Sequence, residues 1–323
     1  MRQTPRRKSR VTTNPMIESG QGPFDEPGKR RDLCRTPIRA AVLQMTSAPE
    51  VEANLATART LLERARAEGV MLAALPENFA IMGRKEVDKV EVAETPGEGP
   101  IQAFLGHCAR ELGLWIIGGT IPLRVDSEPE RVASASLVFD DHGRALGRYD
   151  KIHLFDVGIP NRDAPQRDER YRESATVAPG SQPTVVPTPF GRIGMAVCYD
   201  VRFPELFRVL SEQGAEILSL PSAFTAPTGK AHWELLIRAR AVENLCYVLA
   251  PAQSGIHPNG RETWGDSLIA DPWGQVISRV TDAGPGLAVA EIDRTVQQEL
   301  RERFPALSHR RFTIAPPSLV SAD

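Results

Sequence analysis

The chain has 323 residues, of which 41% are apolar, and a formal charge of −2. That is enough apolar material for one large core or two modest ones, and the near-neutral balance excludes the basic excess of a nucleic-acid-binding domain. Four scattered cysteines (Cys34, Cys108, Cys198 and Cys246) form no CxxC pair, which argues against a local zinc site and a disulfide framework; with no apolar run near the ~20 residues that span a bilayer, the cytosol is the expected location.

The first segment, residues 1–36, opens on the basic MRQTPRRKSR and continues without periodicity. It is expected to be a disordered tail, or to precede a true start at Met16, and it lacks the apolar stretch of a secretory signal. One domain is expected over 37–312 and a C-terminal tail over 313–323. The domain opens with strand IRAAVLQ at Ile38. A helix from Val51 to Glu68 follows, with Val51, Leu55, Ala58, Leu61, Leu62 and Ala65 on one face. Val70 to Leu75 reads as a buried strand that delivers Pro76 and Glu77. A helix over Ile101–Leu112 and a strand over Leu114–Thr120 come next. The strands Ser134–Phe139 and Ala145–Tyr149 flank a turn at Asp141-His142-Gly143, and Lys151 lies just beyond. Phe155 to Phe190, rich in Pro, Asp and Arg, reads as mostly loop.

Arg192 to Val197 alternates like a strand. Pro204 then suits the first turn of a helix that runs to about Gln213. Further on, the pattern gives Ile217–Leu220 as a strand, Lys230–Asn244 as a helix and Cys246–Ala252 as a strand. Ser267–Ala270 and Gln275–Val280 form a hairpin, Leu287–Ile292 the last strand, and a polar helix ends near Arg303. The order β-α-β-α-ββ thus occurs twice. Two similar halves whose sheets stack, with helices outside, make a four-layer αββα sandwich of the α/β class. A doubly wound nucleotide fold is the competitor, but neither GxGxxG nor GxxxxGK[ST] follows any strand.

Glu77, Lys151 and Cys198 each close a strand, so they converge on one rim. A carboxylate can act as base for a thiol, and an ammonium stabilises both the anions and the oxyanion of a tetrahedral intermediate. Together they make an acyl-transfer site that needs no histidine, metal or organic cofactor. Taken alone, Cys198 also reads as a small hydrophobe at a strand end.

LPENF, YDKIHLFD and GMAVCYDVRFPEL resemble the Glu, Lys and Cys motifs of the nitrilase superfamily, the carbon–nitrogen hydrolases, and the resemblance covers Ile38 to Phe312. It implies an αββα fold extended across a dimer, with Glu77 as general base, Lys151 as transition-state stabiliser and Cys198 as nucleophile. YRES nominates Glu173 as the superfamily's second glutamate, although the insert NRDAPQRDER (161–170) stretches its distance from Lys151; a solvated loop acid is the alternative. YDVRFPEL, PSAFTAPTGKAHWELLIRARAVEN and DPWG resemble the branch that holds deaminated glutathione amidase and omega-amidase. APAQSG followed by His257, and SHRR at Ser308–Arg311, look nearer the former. The resemblance therefore implies hydrolysis of amides of small carboxylate-bearing substrates, with small molecules rather than nucleic acid or membrane as partners. A catalytically idle assembly protein, and acyl transfer to an amine, remain as alternatives.

Around the triad, the N–H of Tyr199 is a candidate oxyanion donor. Arg202 is a candidate carboxylate anchor, with structural pairing equally open, and Thr225 is a weaker pocket candidate. His153 is expected to be a hydrogen-bonded structural histidine. His232, Trp233, Leu236, Ile237 and Val242 are expected to pack, Arg238, Arg240 and Glu243 to form ion pairs or dimer contacts, and Cys108 and Cys246 to lie in the core.

Overall fold

Ile38, Ala40 and Val42 alternate with Ala41 and Leu43 along the strand Ile38–Gln44, and all five are buried. A strand apolar on both faces needs a layer on each side, and the computed structural model, which describes residues 24–26, 29–30, 36–159 and 169–313, supplies both. One face of this strand, with Leu72, Ala74 and Ile117 of its neighbours, joins Ile193, Met195 and Ile217 of a second sheet in a common core. The other face, with Ala73 and Ile116, meets Ala58, Leu61, Leu62 and Ala65 of helix Val51–Ala67 and Leu105, Cys108 and Ala109 of helix Pro100–Leu112. Beyond the second sheet lie Phe207 and Leu210 of helix Pro204–Glu212 and Trp233, Ile237 and Ala241 of helix Ala226–Asn244. The αββα sandwich follows from these contacts. Each fully buried Leu, Ile or Phe contributes roughly 1.5–3 kcal/mol to it.

The two halves repeat one plan. In the first sheet Ile38–Gln44, Leu72–Ala74 and Trp115–Ile117 run parallel, each joined to the next through a helix. In the second, Gly191–Met195, Ile217–Ser219 and Tyr247–Ala250 do the same. Antiparallel strands flank both trios. Gly286–Ile292 returns from the far end of the chain to pair with Ile38–Gln44, while Val132–Phe139 pairs with Trp115–Ile117 and carries Ala145–Asp150. Leu268–Ala270 and Val276–Arg279 complete the second sheet on one side, and Thr184–Thr188 does so on the other.

The segment expected to be mostly loop, Phe155 to Phe190, holds more order than its composition suggests. Asp156–Ile159 and Glu169–Arg172 pair as an antiparallel ribbon, and Thr184–Thr188 is a sheet edge, the position where a strand tolerates a proline such as Pro187. The helix expected from Lys230 starts at Ala226: Thr225 caps it by accepting from Thr228 N, and Pro227 fits its first turn. Two short elements without a clear pattern also appear, strand Ile121–Arg124 and the hairpin Ser254–Ile256 with Glu262–Trp264. Met16, most of the expected N-terminal tail, the bulk of the insert and residues beyond 313 lie outside the described residues.

Candidate active site

Three strand ends deliver the polar cluster. Leu72–Ala74 runs into Pro76 and Glu77. A carbonyl of this turn sits so close to Gly119 that a Cβ there would lie 2.1 Å from the oxygen of Pro76. Gly119, at φ +55°, therefore ends the neighbouring strand earlier than expected, and Thr120 Oγ1 accepts from the N–H of Asn78. The Glu77 carbonyl is held by Gln253 Nε2 at 2.9 Å, and Gln253 is itself bonded to Ser47 through both ends of its amide. Ala145–Asp150 delivers Lys151.

Gly191–Met195 leads through two extended residues to Cys198, which opens a short 3-10 turn at φ +48°, a conformation costly for a residue with a Cβ. Its own N–H donates to Pro221 O at 2.9 Å, which fixes the bend.

Lys151 is 2% exposed, and its Nζ lies 2.8 Å from Glu77 Oε1 and 2.9 and 2.8 Å from the two oxygens of Glu173. Glu173 comes from the turn Glu173–Ala175 that follows the ribbon, and it also accepts from Phe155 N at 2.7 Å. The insert thus does not keep it from the lysine. Burial alone would lower the Lys151 ammonium's pKa, but the carboxylates of Glu173 and Glu77 outweigh it and hold the group well above its ordinary value. Burial would likewise raise the Glu173 carboxyl, and here the Lys151 charge, with Lys89 and the Phe155 N–H, brings it below the usual range. The thiol of Cys198 is different. Burial and the adjacent Glu77 carboxylate push it far up, against the smaller pull of Lys151 and the Ala223 backbone N–H. The site thus sets the Cys198 thiol beside the Glu77 carboxyl group and the Lys151 side chain. Such a set has the parts for acyl transfer: a nucleophile, a carboxyl group in the same cavity to act as base, and a positive charge.

Asp200 was not singled out by its sequence, yet it joins the lysine's segment to the thiol's turn. Fully buried, it accepts from Tyr149 OH at 2.7 Å, Val197 N at 2.8 Å, and both the backbone N–H (3.0 Å) and ring Nδ1 (2.7 Å) of His153. His153, as expected, is structural: its ring also stacks on Phe203 at 3.7 Å. On the helix Ala226–Asn244, Trp233 and Ile237 are buried, but Val242 is 46% exposed, and His232 is exposed and meets Arg202 at 3.3 Å instead of packing. Arg240 pairs with Glu243 at 2.7 Å and Arg238 with Glu234. Cys108 and Cys246 are buried.

The cluster opens into a cavity of about 220 Å³ that Tyr199, Arg202, Phe224 and Thr225 also line. Among the described residues, six cationic side chains besides Lys151 reach it: Lys85, Lys89, Arg170, Arg172, Arg202 and Arg261. The carboxylates among the described lining residues are Glu77, Glu86 and Glu173, so in a chain of slight negative charge this part of the cavity wall is strongly positive. Arg261 and Gln253 had no local sequence signal; both arrive from the segment after Tyr247–Ala250.

Known proteins resemble this chain over most of its length. Residues 39–302 match the carbon–nitrogen hydrolase family. A deaminated glutathione amidase of Synechocystis sp. is 44% identical over 280 residues, covering 85% of this chain and 99% of that protein. The C. elegans NitFhit structure superposes with a TM-score of 0.79 at 37% identity, covering 87% of this chain and 67% of that one. A Saccharomyces cerevisiae member of branch 10 of the nitrilase superfamily does so with 0.76 at 30%, covering 87% and 98%. With the family match spanning most of the chain and the sandwich shared, this protein belongs to the carbon–nitrogen hydrolases of the nitrilase superfamily.

Proposed function

We propose that this amidase cleaves deaminated glutathione at its α-ketoglutaramyl amide, with Cys198 as nucleophile, Glu77 as general base and acid, Lys151 as oxyanion stabiliser, and Glu173 holding the lysine. The observation that carries the reading is the cluster of thiol, carboxylate and ammonium at the floor of a cationic cavity. Glu77 takes the Cys198 proton as sulfur attacks the amide carbonyl. Burial and the Glu77 carboxyl raise the pKa of this thiol, which favours proton transfer to Glu77 during attack rather than before it. Lys151 Nζ, bound to Glu173 through both oxygens, turns one of those contacts to the oxyanion, and the N–H of Tyr199 supplies a second donor, since that of Cys198 is committed to Pro221.

Glu77 then gives its proton to the departing nitrogen, and the amine leaves a thioester behind. Water loses a proton to Glu77 and attacks the thioester. Collapse returns that proton to the sulfur and frees the keto diacid. Arg202, whose guanidinium lies 5.7 Å from the ring centre of Tyr199 and 5.5 Å from that of Phe224, anchors the α-keto acid, and Thr225 shapes the pocket wall.

This reading goes with a homodimer in the cytosol. Leu235, Val242, Trp273 and Phe304 are exposed large apolar groups on the outer helices and adjoining turns, a surface suited to a second copy, and thiol chemistry is served by a reducing compartment. No helix among the described residues is long and apolar enough to cross a membrane.

The test is turnover. Purified protein should show a kcat/KM for deaminated glutathione at least tenfold above that for α-ketoglutaramate, and Arg202→Ala should weaken both by ten- to a hundredfold, the worth of a charge-assisted contact of about 1.5–3 kcal/mol. Preference for α-ketoglutaramate would mark an omega-amidase instead.

A further inference from the structure

Arg261 sits between the hairpin strands Ser254–Ile256 and Glu262–Trp264, far in sequence from the thiol, yet it is tied to the thiol's wall. Its Nη2 donates to Ala223 O at 2.7 Å, and Ala223 lines the cavity together with Cys198. One face of the guanidinium is covered by the ring of Tyr171, 5.2 Å away. Among the described residues its buried Nε has no hydrogen-bond partner, and no carboxylate lies within 4 Å of it. The acid whose titration it affects, Glu86, is already bound to Lys89 at 2.7 Å. A half-buried guanidinium that lines a ligand cavity and has no carboxylate partner among the described residues is chemically suited to receive a carboxylate.

It is also a separate site from Arg202. Three rings lie between the two cations: Arg202 is over Tyr199, Tyr199 meets Phe155 at 5.1 Å, Phe155 meets Tyr171 at 5.2 Å, and Tyr171 is under Arg261. The strand that holds Tyr171 also brings Arg170 and Arg172 to the cavity, so the positive charge continues on the Arg261 side.

We propose that Arg261 is a specificity-determining residue that receives a carboxylate on the amine half of the substrate, while Arg202 takes the one on the acyl half. The enzyme then selects amides charged on both sides of the scissile bond. The assignment to the amine half rests on the amidase reading above; recognition of a carboxylate by Arg261 does not depend on which amide is cleaved.

The experiment pairs one residue with one charge. Wild type, Arg261→Gln and Arg202→Ala are assayed on deaminated glutathione and on the same compound with its terminal carboxylate converted to an amide. Arg261→Gln should lower kcat/KM ten- to a hundredfold on the acid and less than threefold on the amide, whereas Arg202→Ala should lower both alike. An equal loss on both compounds with Arg261→Gln, or no loss on either, overturns the assignment.

A second readout needs no turnover. Iodoacetate and iodoacetamide differ by one charge, and the ratio of their rates of alkylating Cys198 should fall at least threefold in Arg261→Gln. An unchanged iodoacetamide rate shows that the variant's site is intact, and an unchanged ratio overturns carboxylate recognition. If wild type cleaves neither amide but the ratio falls, the substrate reading fails while the anion site stands.

Discussion

Replacing Lys151 with methionine keeps an unbranched apolar stem, one atom shorter, and removes the charge. Two carboxylates that now share one ammonium would then share a buried site with nothing between them, since Glu77 and Glu173 both bind the same Nζ. One of them must take up a proton, its pKa rising above the ~4.3 of an unfolded glutamate. Breaking a buried ion pair from one side costs about 3–5 kcal/mol, and Lys151→Met should lose that much at pH 7, read from the urea midpoint at constant slope. The sign of the pH effect is diagnostic. In the wild type the Glu173 pKa is lowered, so its contribution is present above the unfolded value and is lost as pH falls through the folded one. The Lys151 pKa is raised, so its contribution is complete below ~10.4 and lost only as pH rises beyond that. In the variant a raised carboxyl favours the folded state at low pH and opposes it at high pH. The stability gap between the two proteins should therefore be widest at pH 7–8 and narrow toward pH 5. An unchanged midpoint, or a gap that does not depend on pH, would refute the picture of one ammonium serving two acids.

Cys198→Ala should abolish turnover and leave the melting temperature within a few degrees, because the thiol contributes little packing; residual hydrolysis within tenfold of wild type would exclude it as nucleophile. In native protein, iodoacetamide should label Cys198, which lines the cavity, ahead of the buried Cys108 and Cys246, as peptide mapping would show. Because burial and Glu77 raise the thiol so far, the alkylation rate of Cys198 should show no inflection near the ordinary pKa of ~8.5; a sigmoid centred there would mean a free, unperturbed thiol. Asp200→Asn exchanges one buried acceptor for an amide whose N–H₂ faces donors, and should cost about 1–3 kcal/mol per donor left unpaired, along with a fall in kcat that Asp200→Glu does not restore.

The helix Val51–Ala67 was legible from its i, i+3, i+4 apolar spacing, and the parallel strands from short apolar runs bounded by Gly and Pro. Those elements are built by local pattern, and the αββα plan follows from their order. The stretch from Phe155 was not legible in the same way. The burial of strand Asp156–Ile159 alternates between exposed and partial, so it carries no apolar stripe, and Pro187 disguises an edge strand. Pro227-Thr228-Gly229 looks like a break because the same residues that end helices also begin them. At the site, the convergence of Glu77, Lys151 and Cys198 on one cavity was readable because each closes a recognisable strand and lies in a motif. Gln253 and Arg261 were not, because their work is done on residues far away in sequence: Gln253 bonds Ser47 and Glu77, 206 and 176 positions back. Asp200 was in plain sight within CYD, but only the fold shows that four donors converge on it.

The acid and the cation come from the first sheet, and the thiol from the second. The site is therefore a vernier across the seam between two sheets, its scale set by how Ile38, Ala40 and Val42 rest against Ile193, Met195 and Ile217. A side chain one methylene larger or smaller in that seam, with no polar atom and no contact with substrate, shifts one half of the machinery past the other. With Glu77 as the proposed base, such changes should register in turnover before they register in melting, because proton transfer to it tolerates far less displacement than a close-packed core does.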